Sequence, residues 1–136
     1  MKKEIELFVP GRLCLFGEHS DWAGGHRRQN SDIEKGYTIV APTNQGTYAR
    51  IRELREPILR FKTTLSKEVF EINLNLKELE SIAEKGGLFS YIAGVACEII
   101  SSYGNCTKKG IEIDNYKTDL PTKKGLSSSA SVCVLT

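Results

Sequence analysis

Residues 121–130 read PTKKGLSSSA, a proline-initiated loop of glycine and consecutive serines that runs straight into a helix-compatible tail, SVCVLT at 131–136. Gly125 lets backbone approach a ligand closely, and the hydroxyls of Ser127, Ser128 and Ser129 are small hydrogen-bonding groups. A helix behind them aims unpaired N–H groups and the positive end of its dipole outward. That combination suits an anion such as phosphate. The Gly-Lys-Ser/Thr ending of the Walker loop is absent. Taken out of context, the same residues also read as a flexible surface linker or an N-capped helix start.

A second cluster lies near the other end of the chain, where residues 11–25 read GRLCLFGEHSDWAGG. Arg12, Glu18, His19 and Asp21 surround an apolar run that closes on Gly24 and Gly25. Side chains that donate and accept hydrogen bonds on a glycine-bounded turn suit a polyol such as a sugar. Taken singly, Arg12 reads as a surface charge, His19 as a satisfied turn histidine and Asp21 as a turn former.

Between the clusters the hydrophobic pattern predicts strands first. Residues 4–10 alternate imperfectly up to a proline, 13–16 are a short apolar run, and 37–42 with 47–51 read as a hairpin turning at Asn44, Gln45 and Gly46. Two more alternating runs fall at 58–63 and 69–74. Helices follow at 76–85 and at 88–103, the longer one placing Leu88, Ile92, Val95, Ala96, Ile99 and Ile100 close to one face with Gly104 as its stop. Residues 111–116 read as a strand leading into the serine loop. Strands that precede and alternate with helices, without regular βαβ spacing, predict an α+β two-layer domain.

Composition bounds the function classes. A chain of 136 residues with 40% hydrophobic and 26% charged residues is an ordinary soluble globular composition of one-domain length. A net charge of +2, with the basic pairs at 108–109 and 123–124 isolated from aromatic residues, argues against nucleic acid and against a membrane surface. Cys14, Cys97, Cys106 and Cys133 show no metal-ligand spacing, and no secretory apolar core follows Met1, so a reduced, cytoplasmic protein is expected.

Taken together, the two clusters resemble the GHMP kinase family, whose first motif joins Pro-Gly-Arg/Lys to Gly-Glu-His and whose second is a Pro-x-x-x-Gly-Leu-Ser/Gly-Ser-Ser-Ala loop. Both are present in the family's order, and Pro10, Gly11, Arg12, Gly17, Glu18, His19, Asp21, Gly24 and Gly25 match the galactokinase branch. The resemblance implies an N-terminal domain of the ribosomal-protein-type two-layer fold, a mixed sheet covered by helices with a left-handed crossover. It implies a sugar and ATP as substrates, with Mg²⁺. Gly125, Leu126, Ser127, Ser128, Ser129 and Ala130 would cradle the ATP phosphates, and Ser129 would help hold the metal. Arg12, Glu18, His19, Asp21 and Gly25 would bind the sugar, with Arg12 beside the reacting hydroxyl.

The family's catalytic aspartate, acidic metal ligand and second domain have no counterpart in these residues. The resemblance therefore implies the N-terminal part of a sugar kinase, cut within the helix after the phosphate loop, that relies on a C-terminal domain or a second chain and shows no kinase activity by itself. That helix is expected to leave Val132, Val134 and Leu135 uncovered. A non-catalytic protein that senses sugar and ATP is the alternative on the same fold. Trp22 and Ala23 stand where galactokinases usually carry tyrosine and asparagine, and residues 26–36, HRRQNSDIEKG, form a long polar link, so the sugar is left open. Arg27 and Arg28 in that link suit a carboxylate or phosphate on the substrate, and also read as solvated charges.

Overall fold

The computed structural model describes residues 4–18, 23–66, 68–104, 108–121 and 128–136. They form β1 (Glu4–Phe16), α1 (Ala23–His26), β2 (Ile39–Leu54), β3 (Ile58–Thr63), β4 (Phe70–Asn73), α2 (Leu76–Ala83), α3 (Leu88–Tyr103), β5 (Gly110–Thr118) and α4 (Ser128–Leu135). The strands make one five-stranded sheet in the order β1-β2-β5-β3-β4. Every pairing is antiparallel except β3 with β5, which are parallel and joined through β4, α2 and α3. The sheet is therefore mixed and helix-covered, the α+β architecture that the sequence predicts.

Strict alternation gives the sheet two faces. One row across all five strands, Ile5, Ile51, Ile113, Phe61 and Phe70, is apolar and lies toward the helices. One residue along, the row Glu4, Arg52, Glu112, Arg60 and Glu71 alternates in charge on the opposite face. Ile92, Ala93, Ala96 and Ile100 of α3 and Leu79 of α2 complete the core with Phe61, Leu59 and Ile113. Burying a side chain such as Phe61 stabilises the fold by roughly 2–3 kcal/mol. Asn75 caps α2, its carboxamide oxygen accepting from the N–H groups of Lys77 and Glu78 at 3.0 and 3.4 Å. Gly104 stops α3 as expected and donates its N–H to the Ile100 carbonyl at 2.9 Å.

Three expectations need correction. The runs at 4–10 and 13–16 are one strand, β1, and no hairpin turns at residues 44–46. Both flanks of that segment pair with β1: Pro10 faces Gly46 and Arg12 faces Pro42, so Thr43, Asn44 and Gln45 lie opposite Gly11 alone. The turn-forming residues make a bulge, closed by the Thr43 hydroxyl donating to the Gln45 carbonyl at 2.8 Å. The third correction concerns α4. Val132 and Leu135 are buried at 3% exposure each against the core, and only Val134, at 73%, matches the expected uncovered face.

Glu112 is the buried charge of the sheet. Its carboxylate accepts from Lys62 Nζ at 3.0 Å and Arg60 Nη1 at 3.3 Å, with Arg52 Nη1 at 3.8 Å. Burial pushes its carboxyl up, but the hydrogen bonds from Lys62 and Arg60 outweigh that and hold it below the usual carboxylate range. Glu112→Gln is expected to cost about 1–2 kcal/mol at neutral pH, because the buried carboxylate that accepts from Lys62 and Arg60 is replaced by a neutral, weaker acceptor. A carboxyl depressed in the folded state contributes fully above its unfolded pKa of about 4 and loses that contribution as pH falls through the folded value. Urea unfolding should therefore show the gap between wild type and variant closing as pH is lowered below the unfolded value of about 4. A gap that holds or widens at low pH contradicts the assignment.

Candidate functional site

The first cluster is built at the end of β1. Past the bulge at Gly11, Arg12 stands exposed on the strand opposite Pro42, and among the described residues no partner holds its guanidinium. Gly17 ends the strand with φ 77°, a left-handed conformation that favours glycine. Its carbonyl accepts the Thr38 hydroxyl at 3.0 Å, which ties the far end of the long polar link back to this turn. Glu18 follows, exposed. His19 and Asp21 lie outside the described residues. Gly25 sits exposed in the four-residue α1, where a Cβ would meet nothing within 4 Å, as is also true at Gly24. The chain then winds on through turns, with the Arg27 N–H on the Ala23 carbonyl and that of Asn30 on the His26 carbonyl, both at 3.0 Å. Arg27 is half-buried and Arg28 exposed.

The second cluster is seen from its two flanks. Gly125, Leu126 and Ser127 lie outside the described residues, and Ser128 opens α4. Ser129 and Ala130 are exposed in its first turn, where unpaired helix N–H groups gather. Ser131 points inward, and its Oγ lies 3.0 Å from the Thr47 Oγ1 of β2, both hydroxyls being buried. Before the loop, Asp119 Oδ1 accepts the Gly46 N–H at 2.6 Å, and the Asp119 N–H donates to the Gly46 carbonyl at 3.1 Å. The hydrogen bond from Gly46 and the pairing with Lys117 at 3.2 Å hold this carboxyl below its ordinary range, against some burial. Among the described residues no three His, Cys, Asp or Glu side chains converge on a metal site, and no helix is long and apolar enough to cross a membrane.

β2 is the element that the described flanks of both clusters share. Gly46 faces Pro10, two residues before Arg12, and the next residue, Thr47, holds α4. Sequence reasoning missed Thr47, Asp119 and the buried Asn115. An Asp just ahead of a Leu-Pro loop entry was a readable turn signal. Thr47 carried none, because a threonine in a strand is ordinary and its buried partner is 84 residues away.

No family model matches the chain. Curated relatives do: a galactokinase from Lactococcus lactis subsp. lactis is 35% identical in an alignment that covers 98% of this chain and 30% of that protein. Galactokinases from Enterococcus faecalis and Streptococcus suis are 32% and 30% identical over 94% and 97% of the chain. The chain spans 30% of the length of each. Among solved structures, a Lactococcus lactis galactokinase complexed with galactose superposes with a TM-score of 0.74 at 28% identity, over 98% of this chain and 31% of that one. A Methanococcus jannaschii mevalonate kinase gives a TM-score of 0.72 at 21% identity, over 97% of this chain and 38% of that one, a likeness of fold alone. Nearly the whole chain is thus similar in sequence to galactokinases, and its mixed helix-covered sheet has the fold of a GHMP kinase N-terminal domain.

Proposed function

We propose that the protein containing this chain transfers the γ-phosphoryl group of ATP to a monosaccharide of the galactose type, with this chain as its N-terminal domain. The observation that carries the reading is the order of the two motifs, one suited to a polyol and one to phosphate, in a chain 30–35% identical to galactokinases over nearly its full length. Arg12, Glu18, His19, Asp21 and the open backbone at Gly25 bind and orient the sugar. The Arg12 guanidinium, unpaired among the described residues, favours deprotonation of a nearby hydroxyl and offsets charge developing on it. Backbone N–H groups at Gly125, Leu126, Ser127, Ser128, Ser129 and Ala130 hold the β- and γ-phosphates.

Phosphoryl transfer depends chiefly on positioning and on stabilising charge spread over the phosphoryl oxygens, so a preorganised N–H cradle is the chemistry such a site needs. The exposed Ser129 hydroxyl in the first turn of α4 fits Mg²⁺, a metal that takes most of its ligands from phosphates and water and asks little of the protein. Bound there, the ion would neutralise phosphate charge. The direct test is sugar-dependent ADP release by the protein carrying this chain with the remaining length that its relatives have, over a panel of monosaccharides with and without Mg²⁺. Galactose-dependent release is expected. Binding of both galactose and ATP without any release would replace the kinase reading with a sensing role.

Two substitutions separate the halves of the site. Gly125→Val should abolish ATP binding while leaving sugar affinity in place, since a side chain there blocks close approach of backbone to phosphate. Calorimetry with each ligand reads this, and unchanged ATP affinity in a folded variant removes the phosphate-loop assignment. Asp21→Ala should weaken sugar binding by roughly 1–3 kcal/mol by leaving a substrate hydroxyl unpaired. A rise in the KM for ATP alone would mean that the turn serves the other ligand.

A further inference from the structure

We propose that Gly46 and Thr47 of β2 act as a positioning clasp that fastens both ends of the serine loop to adjacent residues and sets the loop's place relative to Arg12. The proposal rests on the reading of residues 125–130 as the ATP phosphate loop, and adds the residues that hold it in place.

Both backbone groups of Gly46 go to one residue, Asp119, whose Oδ1 accepts at 2.6 Å and whose N–H donates at 3.1 Å. The opposite neighbour of Gly46 is Pro10, which has no N–H to leave unpaired. β1 lies so tightly here that a Cβ at Gly46 would collide with the Phe8 ring and the Val9 carbonyl. The next residue, Thr47, is 1% exposed and meets Ser131, 3% exposed, at 3.0 Å. The chain therefore leaves β2 at Asp119 and returns to it at Ser131, one residue further along. Asn115 stiffens the approach: its Nδ2 donates to the Tyr48 and Lys117 carbonyls at 2.9 and 3.0 Å, and its Oδ1 accepts from Thr63 and Thr118 at 2.7 and 3.1 Å. Every polar group of that buried amide is used.

On the other side of β2, the bulge at residues 43–45 lies between the Pro10 and Arg12 registers, so the position of Arg12 is reckoned from the same Gly46 anchor. A sugar held at Arg12 and a nucleotide held by the loop would thus both be positioned from the same dipeptide, Gly46 directly through its pairing with Pro10 and Thr47 through Ser131. Misplacement of reacting groups by about 1 Å can lower a rate on the order of 100-fold, so a small shift of α4 should appear in turnover before it appears in folding.

The test uses Thr47→Val, which removes the hydroxyl at nearly constant volume, Thr47→Ser, which keeps it, and the double variant Thr47→Val with Ser131→Ala. In the longer, active kinase, Thr47→Val should lower kcat by about 10-fold or more and raise the KM for ATP while the sugar KM changes less than about 2-fold, because the loop moves and the β1 turn does not. Thr47→Ser should restore both values. The double variant should recover thermal stability relative to Thr47→Val, since neither hydroxyl of the Thr47–Ser131 pair is left facing a methyl group, yet keep the low kcat. Recovery of turnover together with stability would reduce the pair to packing and overturn the proposal.

A second measurement does not need catalysis. On the 136-residue chain, Thr47→Val should speed amide exchange in α4 by about 10-fold or more relative to β5, reporting local release of the helix. Equal acceleration in both elements, or none, overturns the clasp. A wild-type protein that fails to phosphorylate any sugar would refute the kinase reading, while the exchange result would still decide the clasp.

Discussion

Glu112 needs cations, and the sheet is arranged so that it finds them. A carboxylate at 6% exposure is costly unless compensated, and here Lys62 and Arg60 from β3 and Arg52 from β2 converge on it from both neighbouring strands. That convergence exists in one register only. A slip of β5 by one residue against β2 or β3 would carry Glu112 into the apolar layer beneath α3 and turn Ile113 outward. The same register places Ile113 between Ile51 and Phe61, so the charged row and the apolar row enforce each other. Salt bridges at the ends of the row, such as those of Glu4 and Glu71, are exposed and contribute little individually. The central one matters because its loss leaves charge buried.

The candidate site inherits its geometry from that register. β5 is the strand that delivers Asp119, and β2 is the strand that receives it, so pairing of the two fixes where the serine loop begins. β1 pairs with the other edge of β2 and carries Arg12 past a bulge to the same end of the sheet. Edge position explains why β1 tolerates Pro10: a proline inside the sheet would break a ladder bond, whereas here Gly46 directs its groups to Asp119 instead. Arg12 of the first cluster, and Asp119 and Ser131 on the flanks of the second, are thereby referred to one strand, β2. Loops carry the chemistry and strands carry the distances.

Much of the fold is legible in the chain because its cause is local. Alternation at 58–63 and the periodic face of residues 88–103 follow from side-chain spacing, and Gly104 stops its helix for a reason contained within one turn. The segment at 43–46 misleads because its residues are turn formers in isolation. What decides between a hairpin and a bulge is whether residues 37–42 and 47–51 pair with each other or both with β1, and no local signal contains that choice. The helix after the serine loop misleads in the opposite way. Val132 and Leu135 look unprovided for in sequence, but β1, β2 and α3 lie beneath them.

For the site, the sequence by itself determined which chemical groups are available: a glycine and serines that suit phosphate, and an arginine, carboxylates and glycines that suit a polyol, in the order characteristic of GHMP kinases. Those properties belong to residue types and short spacings, and so survive without a fold. Only the tertiary structure decided that Gly46 bonds Asp119 and Thr47 meets Ser131, on the two flanks of the serine loop, and that Glu112 is the buried centre of the charged face. Those facts depend on strand pairing between segments 73 and 84 residues apart, and the free energy of such pairing comes from the whole buried layer rather than from any stretch that can be read alone.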